Sequence, residues 1–146
     1  MNEVDLTMAI VGSGGEGAIS AGEILVRATA KDGLFGMIIK EYGPQIRVGE
    51  CMARVRLRNS PVLSLGDFHD SLVVLSWNNF YPFSDEILFH EGAIVLHDSA
   101  DPPPAALSFP EGVRFFSVPL TEIAKKITSG SVSCCLRKSH FQITSN

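Results

Sequence analysis

Met8-Ala9-Ile10-Val11-Gly12-Ser13-Gly14-Gly15-Glu16-Gly17-Ala18-Ile19-Ser20-Ala21-Gly22-Glu23-Ile24-Leu25 passes from a short apolar run, through a bend, into a segment with helical spacing. Five glycines, at 12, 14, 15, 17 and 22, fall within eleven residues. This is the order of a buried strand, a tight turn and a helix whose N-terminus something approaches closely. Glycine admits positive φ and leaves no Cβ in the way of that approach. The free N–H groups of a first helical turn favour an anion. The spacing predicts a strand over 6–11 and a helix over 17–31. Ala18, Ala21, Ile24, Leu25 and Ala28 lie on its buried face, and Gly33 lies just past its end.

Working outward, Met37-Ile38-Ile39 reads as a second buried strand, broken by Tyr42-Gly43-Pro44-Gln45. Met52, Arg54, Arg56 and Arg58 then alternate with Ala53, Val55 and Leu57, the period of a half-buried strand. Its polarity predicts an edge position, antiparallel to its neighbour. Further strands are expected over 72–77, 93–96 and 114–118. One helix is expected over 84–90, and another to 127 that is capped by Thr121 and carries Lys125 and Lys126 in its last turn. Strands alternating with helices predict an α/β fold, a three-layer α/β/α sandwich on a mixed, mainly parallel sheet.

The chain's 146 residues make one domain with a real core, and 45% hydrophobic and 19% charged residues suit a globular protein. A net charge of −4 argues against a broad nucleic-acid surface. No apolar run is long enough for a membrane span. Glu3 and Asp5 in place of a basic n-region point to the cytoplasm. Cys51, Cys134 and Cys135 have no metal or disulfide spacing and read as structural. His69, His90, His97 and His140 are scattered, although His97-Asp98 ends a strand, where α/β ligand sites occur. Trp77, Phe80, Tyr81 and Phe83 read as core or subunit interface. Exposed apolar surface predicts a partner or self-association.

Gly12, Gly14 and Gly17 satisfy GxGxxG, but a dinucleotide site also wants an acid at the end of the second strand. Glu41 is the candidate, between Lys40 and Tyr42-Gly43-Pro44. The doubled Gly14-Gly15 is not something such a turn requires. A second cluster, Tyr42-Gly43-Pro44-Gln45-Ile46-Arg47-Val48-Gly49-Glu50, leads into the arginine strand. Gly14-Gly15-Glu16-Gly17, Ile19–Leu25 and Tyr42–Glu50 together resemble, in order and spacing, the γ-type domain of the 2-oxoacid:ferredoxin (acceptor) oxidoreductases. The nearest form is the one in which this domain is fused ahead of the α subunit. The likeness covers 9–126 and is strongest over 12–57. Glu16 stands where that family usually has Gln or Asp, and Val48 stands in place of a glycine. The domain is therefore expected over 1–127, with an atypical tail over 128–146.

The resemblance implies a complex that decarboxylates a 2-oxoacid, makes an acyl-CoA and reduces ferredoxin. It places thiamine diphosphate and iron–sulfur clusters on partner α and β subunits and implicates the γ domain in placing CoA. The chain itself then holds no catalytic residue and no metal. Its CoA-contacting residues would be Gly12, Gly14, Gly15, Glu16, Gly17, Tyr42, Arg47, Gly49 and Glu50. Arg54, Arg56 and Arg58 read equally as phosphate ligands and as a solvated strand face. Two other classes stand beside this reading: a free-standing nucleotide- or CoA-binding module and a Rossmann-type NAD-binding fragment.

Overall fold

The computed structural model describes residues 3–43 and 49–127. β1 (Asp5–Ser13) leads through the glycine turn into α1 (Ala18–Lys31), followed by β2 (Phe35–Tyr42), β3 (Glu50–Arg58) and β4 (Phe68–Val74). Two 3-10 turns, Trp77–Asn79 and Tyr81–Phe83, precede β5 (Leu88–Asp98), β6 (Arg114–Val118) and α2 (Leu120–Ile127). The six strands form one mixed sheet in the order β2-β3-β1-β4-β5-β6. β1–β4, β4–β5 and β5–β6 pair parallel, whereas β3 is antiparallel to both β1 and β2.

Side-chain alternation gives each sheet face its own core. On one face Ile10, Cys51 and Ala53 pack under Ala18 of α1. On the other, Ala9, Val11, Met52, Leu72, Val74 and Val95 pack with Trp77, Phe80, Phe83 and Ile87. That second layer consists of 3-10 turns and the 99–113 connection rather than a long helix. Asp101 anchors it: its carboxylate accepts the Trp77 amide (3.1 Å) and its carbonyl accepts the indole N–H (2.9 Å). The aromatic cluster is therefore core, with Tyr81 alone left 44% exposed.

Four local expectations change. The arginine strand is interior, and β2 takes the edge with Ile39 exposed. The reason is that β3 needs acids on both sides: Arg54 pairs with Glu41 of β2, and Arg56 and Arg58 pair with Asp5 of β1. The helix expected over 84–90 is absent, because Leu88 and Phe89 join the ladder opposite Phe68 and His69. α1 presents Ala18 and Gly22 to the sheet, and Ala28 is exposed. Thr121 does not cap α2 with its own side chain. It donates its amide (2.9 Å) and hydroxyl to the Asp98 carboxylate instead.

Candidate functional site

β1 and β4 run side by side in parallel, yet their carboxyl ends leave for opposite faces. β1 turns into α1 on one face, and β4 turns into the Trp77 layer on the other. A crevice at such a switch point is where open α/β sheets place ligands. The glycine turn lies there. Gly14 and Gly15 are exposed, and Gly15 has φ +110° with open space where a Cβ would point. Gly17, with φ 94°, leads into α1, whose first turn has no side-chain cap and no acidic residue. Its outward N–H groups are left for solvent or an anion.

The second cluster meets the first at this end of the sheet. Ser13 pairs with Glu50, and Gly12 with Cys51, which in turn pairs with Tyr42. The Gly14 amide donates to the Gly49 carbonyl at 2.8 Å, and the Gly43 amide donates to the Glu50 carbonyl at 2.8 Å. Gly12, Gly14, Gly15, Glu16, Gly17, Tyr42, Gly49 and Glu50 are thus brought together. Arg47 lies in 44–48, outside the described residues.

Glu16 turns inward, its carboxylate accepting the Ser13 amide at 2.6 Å. A Cβ at Gly12 would sit 3.0 Å from that carboxylate and 3.3 Å from Leu75. Leu75, whose amide donates to the Val11 carbonyl at 2.9 Å, thus walls the turn from the β4 side. The sequence offered only an apolar residue at a strand end as its signal. Burial raises the Cys51 thiol pKa, and the nearby Glu16 charge adds to this, so Cys51 stays a protonated core thiol.

The strand arginines do not join the site. Arg54 donates to Glu41 at 2.8 Å, and Arg56 makes two 2.9 Å bonds to Asp5 while also reaching the Ser64 carbonyl. β3 carries them progressively away from Cys51, so that Arg58 lies about 23 Å along the strand. Glu41 is likewise committed to Arg54 and is not poised for a ribose. His97 is buried, its Nδ1 2.9 Å from the Asp98 carbonyl. Burial works against the Asp98 carboxylate, yet the bonds from Thr121 and Ala100 lower its pKa below the usual value. His97-Asp98 is a structural knot. Among the described residues no group of His, Cys, Asp and Glu converges as metal ligands, and no helix is long and apolar enough to cross a membrane. Cys134, Cys135 and His140 lie outside the described residues.

The chain has recognisable relatives. Ketoisovalerate oxidoreductase subunit VorA of Methanothermobacter marburgensis is 32% identical over 127 residues, which is 86% of this chain and 26% of that protein. The chain thus spans about a quarter of that relative. A solved 2-oxoglutarate:ferredoxin oxidoreductase from Magnetococcus marinus, with 2-oxoglutarate, coenzyme A and succinyl-CoA bound, superposes with a TM-score of 0.72 at 26% identity. The match covers 93% of this chain and 23% of that one. The γ subunit of a keto/oxoacid ferredoxin oxidoreductase from Geobacter sulfurreducens shares the fold, with a TM-score of 0.64 at 22% identity over 91% of this chain and 70% of that one. The family pattern described as pyruvate ferredoxin/flavodoxin oxidoreductase matches residues 7–138. On that match the chain belongs to the pyruvate ferredoxin/flavodoxin oxidoreductase family.

Proposed function

We propose that this chain is the γ-type component of a 2-oxoacid:ferredoxin oxidoreductase, packing on catalytic α and β chains and helping to place CoA at a site it shares with them. The observation that carries the reading is the bond from the Gly14 amide to the Gly49 carbonyl at the β1/β4 switch point. It ties the doubled-glycine turn to the start of β3, beside the segment that contains Arg47. The exposed Gly15 turn, the open first turn of α1 and one cation make a receptor for a phosphate-bearing carrier, while the Gly14 amide is spent on holding the turn to Gly49. CoA supplies the thiol that accepts the acyl group. This chain's part is to bind and orient the carrier: Gly12, Gly14, Gly15 and Gly17 shape the turn, Glu16 braces it, and Tyr42, Gly49 and Glu50 border it. Thiamine diphosphate and iron–sulfur clusters belong to the partners in this reading, ferredoxin is reached through them, and the complex is cytoplasmic. The engagement of Glu41 by Arg54 speaks against the NAD alternative.

Affinity capture of the chain from its native cell extract tests the reading. Chains carrying thiamine diphosphate and an iron–sulfur chromophore should co-purify and reduce an acceptor with a 2-oxoacid and CoA, while the pure chain shows no turnover. Turnover by the pure chain, or capture without any redox-active partner, would overturn it.

A further inference from the structure

α1 covers only half of its face of the sheet. It packs on β1, β2 and β3, with Gly22 against Ala53 and Ile38. Beyond it the same face continues in register as Ile10, Val73, Leu96 and Phe116, and as Met8, Ser71, Ile94 and Arg114. This half is a shallow groove of about 470 Å³ whose floor includes Leu6, Met8, Val73, Ile94 and Leu96, with Asp70 and Glu91 also lining it. The Ser71 hydroxyl, also in the groove lining, has no hydrogen-bond partner among the described residues. Phe116 beside it remains 47% exposed. An apolar sheet face left this open among the described residues needs a cover.

We propose that the cover is residues 128–138 of the same chain, whatever the fate of the CoA reading. Three observations favour this occupant over a foreign one. The family match runs to residue 138, eleven residues past the end of α2, so the family pattern includes the segment. The first turn of α2 is tied to Asp98 through the Thr121 amide, and Asp98 follows Leu96 on the same face of β5 at its carboxyl end. Eleven residues reach about 36 Å when extended, more than the length of α2 (about 12 Å) and the distance along β5 from Asp98 to Gly92 (about 20 Å) taken together. Composition agrees as well. Val132, Cys134, Cys135 and Leu136 supply apolar surface, Arg137 and Lys138 complement Asp70 and Glu91, and 128–146 holds no acidic residue.

The native vicinal cysteines make the test direct. In the full chain with Cys51→Ala, a single further cysteine is introduced at Ser71→Cys or Ile94→Cys in the groove, or at Ile39→Cys on the far β2 edge. Each folded variant is oxidised with copper–phenanthroline and mapped by peptide mass spectrometry. Disulfides form only when Cα atoms come within about 7 Å. Intramolecular bonds from the groove cysteines to Cys134 or Cys135, at least tenfold above those from Ile39→Cys, are expected. Absence of such bonds, or equal yield from Ile39→Cys, overturns the proposal. Intermolecular bonds between groove cysteines also overturn it and assign the face to a second copy. Deletion of 128–146 should raise the fluorescence of an added apolar-surface dye severalfold, and an unchanged signal from a folded deletion variant contradicts the proposal.

Discussion

Glu16 and His69 show how much a single side chain owes to neighbours far along the chain. Glu16 spends its carboxylate on the Ser13 amide, so the turn carries an anion of its own. In the proposed reading a phosphate approaches from the outer side, at Gly14 and Gly15, where the surface is open. That glycines were needed here was legible from the doubled Gly14-Gly15. That Glu16 faces inward was not, because its acceptor role appears only once the turn has closed. His69 is fully buried, its Nδ1 3.0 Å from the Leu88 carbonyl, while Nε2 has no partner among the described residues. Burial lowers its pKa, outweighing the carbonyl's opposite pull. The unfolded chain therefore binds more protons than the folded one below the ordinary histidine value of about 6.5, and stability falls as pH drops through that window. Urea unfolding between pH 7.5 and 5.5 should lose up to about 1.4 kcal/mol per pH unit, the slope of one proton. His69→Gln should flatten that slope. A pH-independent midpoint in the unmutated chain would show that His69 is not held neutral by the fold. Sequence could not place His69, because it is buried beside β5, where it pairs with Phe89 and where the register shifts before Ser71.

At the level of elements, period and glycine placement carried most of the information. β1, α1 and β6 fall where alternation, helical spacing and flanking turns put them. The edge placement expected for β3 and the helix expected over 84–90 both fail for one reason: pairing partners far along the chain decide both. Alternating arginines suggest an edge only until Glu41 and Asp5 arrive on the two flanking strands. Gly22 falls among the motif's glycines in sequence, but its role is packing. An added Cβ would lie 2.9 Å from both Ala53 and Ile38, so α1 can sit this close to β3 only without a side chain there. Gly22→Val should force α1 off the sheet and cost about 1–3 kcal/mol, the usual penalty for overfilling a packed core. Denaturant midpoints read this directly. A variant as stable as the parent would mean that the helix–sheet contact yields without loss.

For the molecule as a whole, the topology creates the site. Antiparallel β3 on one side of β1 and parallel β4 on the other send the chain to opposite faces, and the two glycine-bearing clusters meet where it divides. The sequence held both clusters and the α/β class. It did not reveal that the strand arginines point into ion pairs away from the turn, since that requires the register of three strands. The remaining cation of the motif is Arg47, and an arginine–phosphate bond contributes roughly 1.5–3 kcal/mol. The most direct measurement is calorimetric titration of CoA into the complex assembled with the unmutated chain, with Arg47→Ala and with Gly15→Val, each confirmed as folded. Arg47→Ala should weaken binding on the order of tenfold or more, and Gly15→Val should abolish it by filling the open approach at φ +110°. Unchanged CoA affinity in both variants, or tight binding of NAD in place of CoA, would contradict a role for this chain in placing the acyl carrier.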